Sequence, residues 1–172
     1  MGLFSFLKNA GVALAGGGGK KADTPPAPTV DHGADAMKKF NDSQLAMRLT
    51  NHVVGLQLKV DNLNIEVDDD KAIVHGMVPT QPEKEKVILA VGNVAGIASV
   101  DDRMSVVESV SVPAPAAKFY EVKRGDTLSK IARDQYGNAG KYLAIFKANE
   151  PMLKDPDKIY PGQMLRIPPQ EK

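Results

Sequence analysis

The chain has 172 residues, with 22 Lys and Arg against 21 Asp and Glu and a formal net charge of +1. That length holds one ordinary domain or two small ones, and so even a charge balance offers no field to gather nucleic acid or an anionic membrane surface. The absence of cysteine excludes disulfides, iron–sulfur clusters and thiolate zinc sites, and leaves the compartment open on that count. His32, His52 and His75 fall in a linker, a helix and a strand, at no metal-ligand spacing.

At the amino terminus, Ala13-Leu14-Ala15 before Gly16 mimics a signal-peptidase site, and cleavage there would give a periplasmic mature form. No basic residue precedes Lys8, however, and Lys8 interrupts the apolar run, so residues 1–15 are expected to be retained. Phe6 occupies the position where myristoylation needs Ser or Thr. No apolar run approaches the ~18 residues of a membrane span, so a soluble protein is expected. Leu3, Phe6, Leu7, Ala10 and Leu14 lie at helical spacings and predict a short helix over 3–15. A helix that brief needs a tertiary surface to hold it. Residues 16–41 run from a Gly block into Pro and Ala and read as a flexible linker.

The first folded unit spans 42–108. Asp42 or Ser43 caps a helix bearing Leu45, Leu49 and Val53 and ended by Gly55. Leu63, Ile65 and Val67 then alternate with polar residues, and the turn Asp68-Asp69-Asp70-Lys71 leads into a second strand from Ala72 to Val78. This acidic tip lacks the Gly and the distant Glu of an EF-hand, which makes it a solvated turn. Thr80 and Glu83 form a capping box, Pro82 sits in the first turn, and Val87, Ile88 and Val91 supply the buried face of a second helix. A third strand follows over about 99–107. The simplest packing is a three-stranded sheet with both helices on one face.

Residues 109–118 form a second Pro- and Ala-rich linker. Residues 119–169 read as strand, helix, helix, strand: Tyr120 and Val122 open the unit, Asp126 or Thr127 caps the first helix, Gly137 ends it, and Met164 to Ile167 form the partner strand. The fold class is α+β in two small domains, of αββαβ and βααβ order, with a short amino-terminal helix.

The most informative stretch is Ile88 to Asp102, ILAVGNVAGIASVDD. It begins as an amphipathic helix and meets Gly92, Asn93 and Gly96 within five positions, leaving last-turn carbonyls without amide partners. Water or a weakly hydrated cation can satisfy such oxygens. A ring of carbonyls can replace the water of a weakly hydrated monovalent cation, whereas carboxylate clusters suit calcium or magnesium. The negative pole of the helix dipole adds to the attraction.

Tyr120-Glu121-Val122, Gly125-Asp126-Thr127-Leu128, Ile131-Ala132, Asn149 and Ile159-Tyr160-Pro161-Gly162-Gln163 before Leu165-Arg166-Ile167-Pro168 resemble a LysM domain. The preceding unit, with its Gly-rich helix exit Val91-Gly92-Asn93-Val94-Ala95-Gly96-Ile97, resembles a BON domain. Joined to MGLFSFLKNAG, GIASVDD and NEPMLKDPDKIYPGQ, they resemble the small bacterial BON-LysM potassium-binding protein family. Only the long connector between Ala15 and Asp42 looks like an elaboration on it. The resemblance implies a monomeric cytoplasmic ion sensor, linked to stress response, that binds K+ and changes conformation. The implied ligands are the main-chain carbonyls of Leu7, Ala10, Val12, Gly92, Val94 and Ile97. Without the resemblance, Leu7, Val94 and Ile97 read equally well as core positions and the glycines as caps.

A second reading is an envelope protein that holds peptidoglycan-type glycan through the LysM unit, whose groove implies Gly125, Asp126, Thr127, Asn149, Ile159 and Pro161. Several of these also serve as caps and turns. An enzyme has little support, because there is no Cys, no histidine beside a nucleophile, and no carboxylate pair suited to acid–base work. Asp101 and Asp102 alternate across a strand and face opposite sides.

Overall fold

The computed structural model describes residues 2–6, 32–107 and 117–169. Strand β1 (Gly2–Ser5) is followed by helix α1 (His32–Gly55), strands β2 (Asp61–Asp68) and β3 (Lys71–Val78), helix α2 (Gln81–Gly92) and strand β4 (Ser99–Val106). The carboxy-terminal unit comprises β5 (Lys118–Glu121), α3 (Leu128–Tyr136), a single 3-10 turn (Ala139–Lys141), α4 (Tyr142–Ala148) and β6 (Met164–Ile167). The architecture is α+β in two small units, as the periodicities predict.

The first sheet has four strands, ordered β1-β4-β3-β2, with β3 and β4 parallel and the other two pairs antiparallel. The expected three-stranded sheet thus gains β1, and residues 2–5 form a strand instead of the start of a helix. The physical reason lies at β4, whose free edge offers unpaired amides and carbonyls. Leu3, Phe4, Ser5 and Phe6 satisfy a period of two as well as a helical one. Pairing Leu3 with Asp101 and Ser5 with Ser99 avoids the nucleation cost of a short helix. The remainder of the expected helix, residues 7–15, lies outside the described residues.

Helix α1 begins at His32, ten residues before the expected cap, and so takes in the end of the stretch read as linker. Lys38 explains the extension: its Nζ lies 3.2 Å from Asp42, 2.5 Å from Asp68 and 3.6 Å from Asp69. The helix is thereby fastened to the acidic β2–β3 turn, and the hydrogen bonds to Asp68 and Asp42 hold the Lys38 ammonium above the usual lysine range.

Both helices cover one face of the sheet. Leu49 and Val53 from α1 and Val87, Ile88 and Val91 from α2 pack with Ile65, Val74, Val78, Val100 and Met104. At the start of α2, Thr80 Oγ1 accepts from the Glu83 amide at 3.3 Å, while the Glu83 carboxylate faces Lys86 at 3.5 Å. The second unit has its own core around Val122, Leu128, Ile131, Ile145 and Leu165. Thr127, not Asp126, caps α3, and Gly137 ends it in the left-handed conformation at φ 72°.

Asp102 points into the core while its neighbour Asp101 faces out, as the alternation predicts. Lys84 from α2 meets Asp102 at 2.9 Å and donates to the Met104 carbonyl at 2.7 Å. The Met104 amide donates back to Asp102 at 3.0 Å. On the open face Asp101 lies 3.3 Å from Lys71 and 3.2 Å from Arg103. Removing one member of the inner pair leaves a buried charge uncompensated. Lys84→Ala is expected to cost about 3 kcal/mol in urea unfolding, with Lys84→Met combined with Asp102→Leu recovering most of the loss.

Candidate functional site

Helix α2 carries the site, and its sequence explains why it stops where it does. Seven of its twelve residues are buried, Gly92 among them. A Cβ at Gly92 would overlap the Phe6 ring, so only glycine lets the two segments approach this closely. The Phe6 amide donates to the Ala98 carbonyl at 2.7 Å, which places the end of β1 beside the loop that leaves the helix. Within that loop the Asn93 amide donates to Leu89 at 3.0 Å, Val94 to Val91 at 3.3 Å and Ile97 to Val94 at 3.2 Å. No amide of the described residues donates to the Gly92 or Ile97 carbonyl in this turn.

Of the six implied potassium ligands, Gly92, Val94 and Ile97 are therefore in one buried turn. Leu7 follows Phe6 directly in sequence, and Leu7, Ala10 and Val12 lie outside the described residues. Among the described residues no group of three or more His, Asp or Glu side chains gathers as a metal site. Oxygens available at the α2 exit belong to the main chain.

The same exit holds the carboxy-terminal unit. The Asn93 side chain donates to the Met164 carbonyl at 2.9 Å and accepts from the Met164 amide at 2.9 Å, so it continues the edge of β6 as a neighbouring strand would. About two helical turns earlier along one side of α2, Glu85 receives Arg166 Nε at 2.5 Å, Gln81 Nε2 at 3.1 Å and the Ala117 amide at 3.3 Å. The Glu85 and Arg166 side chains are 2% and 9% exposed, so each depends on the other to offset its lost hydration. Phe4 and Phe119 add an edge-to-face contact with ring centroids 5.2 Å apart. None of these contacts between the units was legible in the sequence, because a Glu on a helix and an Arg on a strand are ordinary surface residues until they are placed.

Beside the clasp lies a cleft of about 490 Å³, lined by His52, Leu56 and Val94 on one side and Met152, Lys154 and Tyr160 on the other. Burial pushes the His52 imidazole below the usual histidine range.

The implied glycan residues are dispersed in role. Gly125, Thr127 and Pro161 are exposed, and Ile159 is half-buried against the second core. Asp126 accepts from the Tyr120 hydroxyl at 2.9 Å and the Lys123 amide at 2.8 Å; burial, with Asp126 beside it, pushes the Tyr120 phenol up. Asn149 is 2% exposed. It donates to Ile145 at 2.7 Å and Arg166 at 2.9 Å and accepts from the Arg166 amide at 2.8 Å. Its amide thus ties α4 to β6 and presents nothing to a sugar.

Residues 41–108 match the BON domain family and residues 120–168 the LysM domain family. The chain is thus a two-domain BON-LysM protein. It is 46% identical over 168 residues, 98% of this chain and 99% of the other, to the potassium binding protein Kbp of Escherichia coli O6:H1, and it belongs to that BON-LysM potassium-binding family. An uncharacterized protein of Deinococcus radiodurans is 29% identical over 147 residues, covering 81% of this chain and 57% of that one. The uncharacterized protein YqbP of Bacillus subtilis is 39% identical over 62 residues, 31% of this chain and 28% of that one.

The close approach at Gly92 gives a direct test. Gly92→Ala is expected to push Phe6 off the helix exit, at a cost of about 1–3 kcal/mol for overpacking. Amide hydrogen exchange at Phe4 and Phe6 should accelerate at least tenfold while α3 amides keep their wild-type rates.

Proposed function

We propose that this chain binds a potassium ion through main-chain carbonyls at the α2 exit, those of Gly92, Val94 and Ile97, joined by those of Leu7, Ala10 and Val12. The observation that carries the reading is the docking of Phe6 between Gly92 and Ala98, which sets the end of β1 beside a buried turn where no amide of the described residues donates to the Gly92 or Ile97 carbonyl. The 46% identity to a protein named for potassium binding supports the choice of ion. The chemistry agrees: an all-carbonyl site favours a large monovalent cation, and the carboxyl end of α2 contributes its negative pole.

In this proposal the ion fastens the first residues to the BON unit and shifts the ensemble toward that arrangement, so the protein acts as a non-catalytic potassium sensor in the cytoplasm. Among the described residues no helix is long and apolar enough to cross a membrane. A second reading, glycan binding by the LysM unit, draws on the exposure of Gly125, Thr127 and Pro161, without Asn149.

A ligand that binds only the folded state at a hundred times its Kd adds about 2.7 kcal/mol, which for a chain of this size raises the melting temperature by roughly 5–10 °C. Potassium chloride is expected to produce that rise in differential scanning calorimetry, and equimolar sodium or lithium chloride is not. Equal responses to the three salts would contradict the proposal.

A further inference from the structure

From Gly92 to Ala98 the chain reads Gly-Asn-Val-Ala-Gly-Ile-Ala, so Asn93 alone can tie the turn that leaves α2 to another element by a polar side chain. Its two neighbours, Gly92 and Val94, are the residues whose main-chain oxygens are read as ion ligands. The glycines loosen this turn. Gly92 lacks the Cβ that would exclude Phe6 and Gly96 sits at φ 103°, and glycine is the residue type with the most backbone freedom to lose. That freedom has to be offset if carbonyls are to stand ready for a weakly hydrated ion.

Asn93 does not serve as an ordinary helix stop. An Asn that ends a helix commonly does so in the left-handed conformation, whereas Asn93 lies at φ −79° and ψ 4°. Its amide donates to Leu89 at 3.0 Å. The Gly92 carbonyl shares a rigid peptide plane with that amide and points the opposite way, out of the helix end. On the other side of Asn93, the next peptide plane carries the Val94 amide, which donates to Val91 at 3.3 Å. The side chain meanwhile leaves α2 altogether, donating to the Met164 carbonyl and accepting from the Met164 amide, both at 2.9 Å. Two bonds from one planar carboxamide to one strand residue fix its position and its rotation together.

We propose that Asn93 is a positioning residue of the ion site: its carboxamide, held by β6, fixes the two peptide planes beside it, and with them the direction of the Gly92 carbonyl and the place of Val94. This rests on the reading of the α2 exit as a potassium site and adds the group that preorganises it. Asn93 touches no ion in this account and acts through its neighbours. Because both bonds go to main-chain atoms of Met164, the side chain at 164 has no part in the effect. A role in merely holding the units together would be shared with Glu85, which meets Arg166 of the same strand about two helical turns away. The two roles separate by experiment.

Potassium chloride titration of the full chain, followed by the Val94 and Ile97 amide shifts, makes the comparison. Asn93→Ala is expected to raise the potassium Kd about tenfold, the loss that two hydrogen bonds imply. Asn93→Gln, which moves the same carboxamide out by one methylene, should raise it in the same direction, separating the place of the group from its polarity. Glu85→Gln weakens the other contact between the units and should lower the melting temperature while leaving the Kd within about twofold of wild type. Without potassium, exchange of the Val94 and Ile97 amides should quicken about tenfold in Asn93→Ala, with α3 amides at their wild-type rates. A wild-type chain with no saturable potassium response would overturn the ion site, and this role with it. Where the wild type binds, Kd values for both Asn93 variants within about twofold of it, or an equal rise in Glu85→Gln, would overturn the positioning role alone.

Discussion

Helix α2 is buried along much of its length, and three polar side chains on it or next to its end are buried or half-buried. Lys84, Glu85 and Asn93 each need a partner, because a desolvated charge or amide left unpaired costs several kcal/mol. The partners come from two other strands: Asp102 on β4, and Arg166 and the main chain of Met164 on β6. Satisfying one helix therefore fixes the first sheet beneath it and the LysM unit beside it. The specificity of these contacts exceeds what apolar packing alone supplies, since Arg166 or Met164 displaced by one residue would leave Glu85 or Asn93 without its bond.

The exit of the same helix inherits that rigidity. Gly92 admits Phe6, Asn93 clasps Met164, and Val94 turns back toward the core, so the loop has polar duties on both sides and little freedom to move its carbonyls. A site for a weakly hydrated ion needs that preorganisation, because each oxygen contributes little and the ion gains only if several are already in place. Placing the ion where three segments meet would make its binding sensitive to the order of all three.

Legibility in the sequence followed the range of the interaction. Period-two and period-3.6 patterns, the Thr127 cap and the Gly92 and Gly137 stops are local, and each appears where the residues predict it. Strand β1 was not legible, since Leu3, Phe4, Ser5 and Phe6 satisfy both periods and only the open edge of β4 decides between them. The early start of α1 depended on Lys38 reaching a turn thirty residues away. Asn149 stands in the LysM motif as a candidate sugar contact, and only the bonds it makes to Ile145 and Arg166 reveal it as a brace.

The central claim is that a potassium ion is held by main-chain oxygens at the α2 exit. Carbonyl 13C chemical shifts followed through a potassium chloride titration test it most directly. The largest changes are predicted at Gly92, Val94 and Ile97 together with Leu7, Ala10 and Val12, sharing one midpoint and absent with sodium chloride. Changes confined to aspartate and glutamate carboxylates, or identical in the two salts, would contradict it.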